Sequence, residues 1–185
     1  MTATATLING IDTGALLRLV EDVKADHSRG IAKFHVTSTW KGGARSDTRV
    51  DGWELGGKKL AKDFTISIDE PRELLGSNQY ANPQEYLLAA MNACIMASWV
   101  AACSVNGIEL ESLELESEGE LDLRGFLAID AKVKPGYDSI DLTVRIKGNG
   151  TEEQYRQIEE FVAKTSPNFY NLAHAVTLKP RLVVQ

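Results

Sequence analysis

The hydrophobic periodicities predict an α+β domain. Three observations carry this: two-residue alternation in the first third of the chain, a long uncharged helical run in the middle, and alternation again before a second helix. Strands and helices come in blocks, not in turn, which argues against a doubly wound parallel sheet. The 185 residues are 43% hydrophobic and 25% charged, enough for one core.

The elements follow in order. Leu16, Leu17, Leu19, Val20 and Val23 recur at helical spacing over 14–25, with Asp12 or Thr13 as cap, and predict a short helix in an N-terminal extension, residues 1–30. One main domain, 31–185, follows it. From Ile31 to Trp40, Ala32, Phe34, Val36, Ser38 and Trp40 alternate with Lys33, His35, Thr37 and Thr39, the pattern of a half-buried strand. Gly42–Gly43 and Gly56–Gly57 punctuate a ribbon holding Arg45, Arg49 and Trp53, and Phe64, Ile66 and Ile68 resume the alternation, so a curved antiparallel meander is expected.

Asn82, Pro83 and Glu85 then supply a cap, a first-turn proline and a capping-box acid. The run 86–105 has no charge and ends at Asn106–Gly107, suited to a left-handed closure. About 20 apolar residues could span a bilayer, but alanine richness, Asn92 and Ser98, and the lack of flanking Lys or Arg favour a helix buried in the protein. A domain of this size rarely wraps such a helix completely, so a homodimer is expected. Alternation at Leu113 and Leu115, at Leu121 and Leu123, and from Ile140 to Ile146 predicts three antiparallel strands with one wet face. Thr151 and Gln154 open a helix that should bury Tyr155, Ile158, Phe161 and Val162 and stop before Ser166–Pro167, with a short turn or helix and a last strand near 176–184 to follow.

Charge and cysteine use narrow the function. Twenty Lys and Arg against 26 Asp and Glu give a net charge of −6, which argues against nucleic acid. The first thirty residues show neither a basic start nor an unbroken apolar stretch, so a cytoplasmic address is expected, and the two cysteines do not make a secreted disulfide framework. Cys94 and Cys103 lie nine residues apart on the central helix, two and a half turns, facing opposite ways and about 13 Å apart along the axis. A bridge needs Cα atoms within about 7 Å, so they cannot pair in an intact helix. Cys103 reads as a small buried hydrophobe.

Cys94 has a more informative setting. The stretch NPQEYLLAAMNAC followed by IMASWV, together with TWKGGARSDTRV, FTISIDEPRELLGSNQYANP and TSPNFYNLAHAVTLKPRLV, resembles the OsmC/Ohr family over roughly 34–184. The resemblance implies an intertwined homodimer in which curved sheets wrap paired central helices, and thiol-dependent reduction of a small hydrophobic hydroperoxide as part of an oxidative stress response. It assigns Cys94 as the attacking thiolate and an early-strand arginine, Arg45 first and Arg49 in reserve, as the activating cation. Such a thiol must ionise more readily than free cysteine, near 8.5, and stay accessible. No cofactor is implied.

Two departures from the family pattern matter. Where the family places an arginine-holding carboxylate, ten residues before the cysteine, stands Gln84; Glu85, one residue on, is the candidate to orient that arginine, although a capping box also explains it. At the resolving cysteine stands Ser166, which also reads as the N-cap before Pro167. Serine cannot exchange with a disulfide. A one-cysteine peroxidase recycled by an external thiol is therefore expected; reaction with another electrophile and a silent binding module, with a dimer-interface pocket lined by Met91, Trp99 and Tyr170, are the alternatives.

Other chemistry lacks support. The run GWELGGKK has Lys59 where a phosphate loop needs Ser or Thr, His27, His35 and His174 lack metal-ligand spacing, and no GxSxG or GxGxxG occurs. The acidic run over 109–122 alternates with leucines and reads as solvated strand faces.

Overall fold

Asn9 and Gly10, with φ of 51° and 78°, turn a two-residue hairpin between β1 (Leu7–Ile8) and β2 (Ile11–Asp12). The helix-first expectation for this segment overlooked the Asn-Gly signal. This computed structural model describes residues 7–184, so residues 1–6 of the N-terminal extension and residue 185 lie outside the described residues. The chain forms two compact units, Met1–Ala89 and Ala90–Gln185.

In the first unit, Asp12 Oδ1 accepts the Ala15 N–H at 2.8 Å and caps α1 (Thr13–Ala25), as expected. The single strand foreseen over 31–40 is two, β3 (Ala32–Phe34) and β4 (Thr37–Trp40), both antiparallel to β5 (Ser46–Leu55). β5 also pairs with β6 (Lys58–Ile68) and shifts register between Val50 and Gly52. That bulge divides the part of β5 paired with β3 from the part paired with β4, which explains the break at His35–Val36. β3 and β4 are exposed throughout, not half-buried: alternation marks an apolar face, and none of the described residues covers this one.

The central helix α2 (Pro83–Val105) has the expected limits but is buried on one side only. Met91, Ile95, Trp99, Ala102, Cys103 and Ser104 are buried, whereas Leu87, Ala90, Ala93, Ala97 and Val105 are exposed. Its length and composition would suffice to cross a membrane. The all-round burial foreseen from its apolarity fails because one chain supplies cover for one face.

In the second unit, β7 (Leu110–Gly119) pairs antiparallel with β8 (Ile140–Gly148), and leucine and isoleucine side chains alternate with exposed acids and Arg145. Arg145 binds Glu114 at 3.0 Å and Glu116 at 2.7 Å, so the acidic run is a solvated strand face. The third strand expected at 121–123 is absent. Asp122 instead accepts the Arg124 N–H and starts the short helix α3 (Leu123–Phe126), a local cap outcompeting a ladder. Thr151 and Gln154 close the expected capping box of α4 (Glu152–Thr165), which buries Ile158 and Val162, half-buries Tyr155 and leaves Phe161 exposed. After α5 (Pro167–Ala173), residues 175–184 form no strand and are exposed.

Candidate functional site

Both ends of α2 are locked. Asn82 Oδ1 accepts the Glu85 N–H at 2.8 Å and Glu85 Oε2 accepts the Asn82 N–H at 2.7 Å, a reciprocal capping box. Tyr86 O–H donates to the Ser67 carbonyl at 2.7 Å. At the far end Gly107 adopts φ 70° and the Ile108 N–H reaches back to the Cys103 carbonyl at 2.9 Å, a left-handed closure. Cys94 therefore falls mid-helix, half-buried between exposed Ala93 and buried Ile95, on the border of the covered and open faces.

Ser166 meets it there. α4 ends when the Ser166 N–H donates to the Val162 carbonyl at 2.9 Å, and Pro167 starts α5. Ser166 occupies the N-cap position, yet its side chain makes no capping bond. The hydroxyl donates instead to Cys94 Sγ, 3.5 Å away, and the residue is fully buried. Asn168 Nδ2 donates to the Ala90 carbonyl at 2.9 Å and ties α5 to α2 one turn from the thiol. The capping role that sequence favoured for Ser166 is thus corrected. Cys103 is fully buried, and burial pushes its thiol up, so it stays a small hydrophobe.

The first unit holds the other assigned residues. Arg45 closes the β4–β5 turn, its N–H donating to the Gly42 carbonyl at 3.1 Å and its carbonyl accepting from Lys41 at 2.9 Å. Its guanidinium carbon lies 5.5 Å from the centroid of the Tyr80 ring, and among the described residues its buried Nε has no hydrogen-bond partner. Arg49 instead pairs with Asp63 at 3.0 Å on an exposed sheet face. Glu85 is engaged in the cap, and Gln84 is exposed in the same first turn. Met91 and Trp99 are buried core residues of the single chain, and Tyr170 stacks on His174 with ring centroids 4.1 Å apart. Tyr80 is the functional candidate that sequence reading missed, since nothing in YANP marks an aromatic facing a distant arginine.

The family model described as OsmC-like protein matches residues 76–181, from the loop before α2 to the C-terminal tail. The chain belongs to the OsmC-like protein family. Among curated proteins, this OsmC-like chain is 30% identical over 95 residues to the uncharacterized protein YmaD of Bacillus subtilis (strain 168), a match covering 51% of this chain and 54% of YmaD. The chain thus spans about half the length of the curated relative it matches. Its fold is similar to that of an OsmC-like protein from Mycoplasma pneumoniae, with TM-score 0.60 and 18% identity over 76% of this chain and 87% of that one. It is also similar to an OsmC-like protein of unknown function from Vibrio cholerae O1, with TM-score 0.55 and 16% identity over 76% and 93%. The antiparallel sheets and helices above are therefore an OsmC-like α+β fold.

Proposed function

We propose that this OsmC-like protein is a one-cysteine hydroperoxide reductase in which Cys94 attacks and Ser166 assists. The observation that carries the reading is the buried Ser166 hydroxyl 3.5 Å from the half-exposed Cys94 sulfur. The hydroxyl meets the sulfur from its buried side, while the border of the open helix face leaves a path for substrate. Family membership supports peroxide chemistry, and Arg45 is the cation we assign to the thiolate. Glu85 serves as the helix cap, and residues 31–185 act as one OsmC-like domain, because the family match crosses the boundary between the two units.

The thiolate attacks the distal oxygen of the hydroperoxide, the O–O bond breaks, and a proton from solvent completes the alcohol. Sulfur, oxidised by two electrons, leaves as Cys94 sulfenic acid. Ser166 cannot displace its hydroxyl to form a disulfide. An external thiol therefore attacks the sulfenic sulfur, releasing water and leaving a mixed disulfide, and a second thiol frees Cys94 as the external disulfide departs. Reducing cytoplasm suits this cycle.

Steady-state turnover of cumene hydroperoxide with a dithiol reductant tests the reading. Saturable turnover that Cys94→Ser abolishes is the expected result. A wild-type rate no faster than that of a free thiol overturns it in favour of a small-molecule binding module.

A further inference from the structure

A second buried polar centre lies in the first unit, at the end of β6. Asp69 is fully buried. Its carboxylate accepts the Glu70 N–H at 2.9 Å, the Ser77 N–H at 3.1 and 3.2 Å, the Ser77 hydroxyl at 2.6 Å and the Gln79 N–H at 3.1 Å. The loop from 69 to 81 is closed further by Asp69 N–H to the Ala81 carbonyl and Asn78 N–H to the Glu70 carbonyl. A side chain at Gly76 would place its Cβ 1.8 Å from the Glu70 carbonyl oxygen, so the winding leaves no room for one. Thirteen residues, regular only in the 3-10 turn Arg72–Leu74, are thereby held around one carboxylate.

Tyr80 is the next residue after the last of these donors, and its ring lies under the Arg45 guanidinium. No ion pair to Arg45 is found among the described residues, and Glu85, the acid at the nearby helix start, is engaged by Asn82. An arginine side chain without an anchor samples many rotamers. A ring face attracts the guanidinium through its quadrupole and takes none of the N–H donors at the guanidinium edge. A carboxylate would occupy two of them.

We propose that Tyr80, presented by the loop wound on Asp69, is a positioning residue for Arg45: it fixes the guanidinium from its face and keeps the N–H edge free for the anionic partner. This rests on the reading of Arg45 as the cation that serves Cys94. It adds to that reading a group that holds the arginine, for which no acid partner is found among the described residues.

The test is the second-order rate of Cys94 oxidation by cumene hydroperoxide in the full chain, with Tyr80→Leu and Tyr80→Phe each made in wild-type and Arg45→Ala backgrounds. Tyr80→Leu should slow wild-type oxidation about three- to tenfold, and Tyr80→Phe, which keeps the ring, should restore it to within about twofold. In the Arg45→Ala background Tyr80→Leu should change nothing further. An equal loss from Tyr80→Leu in both backgrounds, or no loss in wild type while Arg45→Ala is slow, overturns the positioning role alone. An Arg45→Ala rate equal to wild type overturns it together with the assignment of Arg45.

Discussion

Residue by residue, the site divides into what a chemical pattern reveals and what only packing reveals. Cys94 stands out in a sequence because its uncharged, alanine-rich run has one thiol at mid-length and a second nine residues on, facing away. Ser166 could be placed opposite Cys94 only by resemblance, and its local pattern before Pro167 pointed to capping, which the fold contradicts. A cap hydroxyl bonds the next turn; this one is buried and spent on sulfur. The distance has a direct consequence. A disulfide needs sulfurs about 2.0 Å apart, and the Ser166 Oγ already lies 3.5 Å from the Cys94 Sγ. The Ser166→Cys variant should therefore trap Cys94 as an intramolecular disulfide after oxidation, converting a one-cysteine cycle into a two-cysteine one.

At the scale of elements, strong local chemistry was legible and unpartnered alternation was not. The boxes Asn82/Glu85 and Thr151/Gln154 and the Asn106–Gly107 closure give α2 and α4 their limits, because each satisfies orphan backbone groups without distant help. The segments 121–123 and 176–184 alternate equally well, yet neither becomes a strand, because alternation marks a face and not a partner. The Asp69 loop was illegible for the opposite reason: its donors, Ser77 and Gln79, are eight and ten residues away in a stretch without periodicity. The Ser77 hydroxyl first, and then the backbone donors, hold the Asp69 carboxyl well below the usual carboxylate range. The ordinary unfolded value is about 3.9. A group depressed in the folded state contributes stability above its unfolded pKa and loses that contribution as pH falls toward the folded value. Asp69→Asn should thus destabilise the protein at pH 7, with a deficit that shrinks below about pH 4. Urea unfolding of both proteins across that range checks this, and a deficit independent of pH would contradict it.

For the whole molecule, the surfaces left open call for a second copy. Phe34, Trp40 and Phe64 are 76%, 75% and 62% exposed on the first sheet, and Leu87, Ala90, Ala93 and Ala97 line the open side of α2. Soluble chains seldom leave so much apolar surface in water. We expect a homodimer, with sedimentation equilibrium at micromolar concentration giving twice the chain mass; a single-chain mass would contradict it. The central claim is that Cys94 and Ser166 make a thiol centre that stops at sulfenic acid. Its most direct test is to oxidise wild type and Ser166→Cys side by side with one equivalent of cumene hydroperoxide and weigh the products with a sulfenic-acid trap present. The account predicts a trapped adduct at Cys94 in wild type and a Cys94 disulfide to the introduced thiol in the variant. Cys94 left unmodified in wild type, or a variant whose two thiols never join, would contradict it.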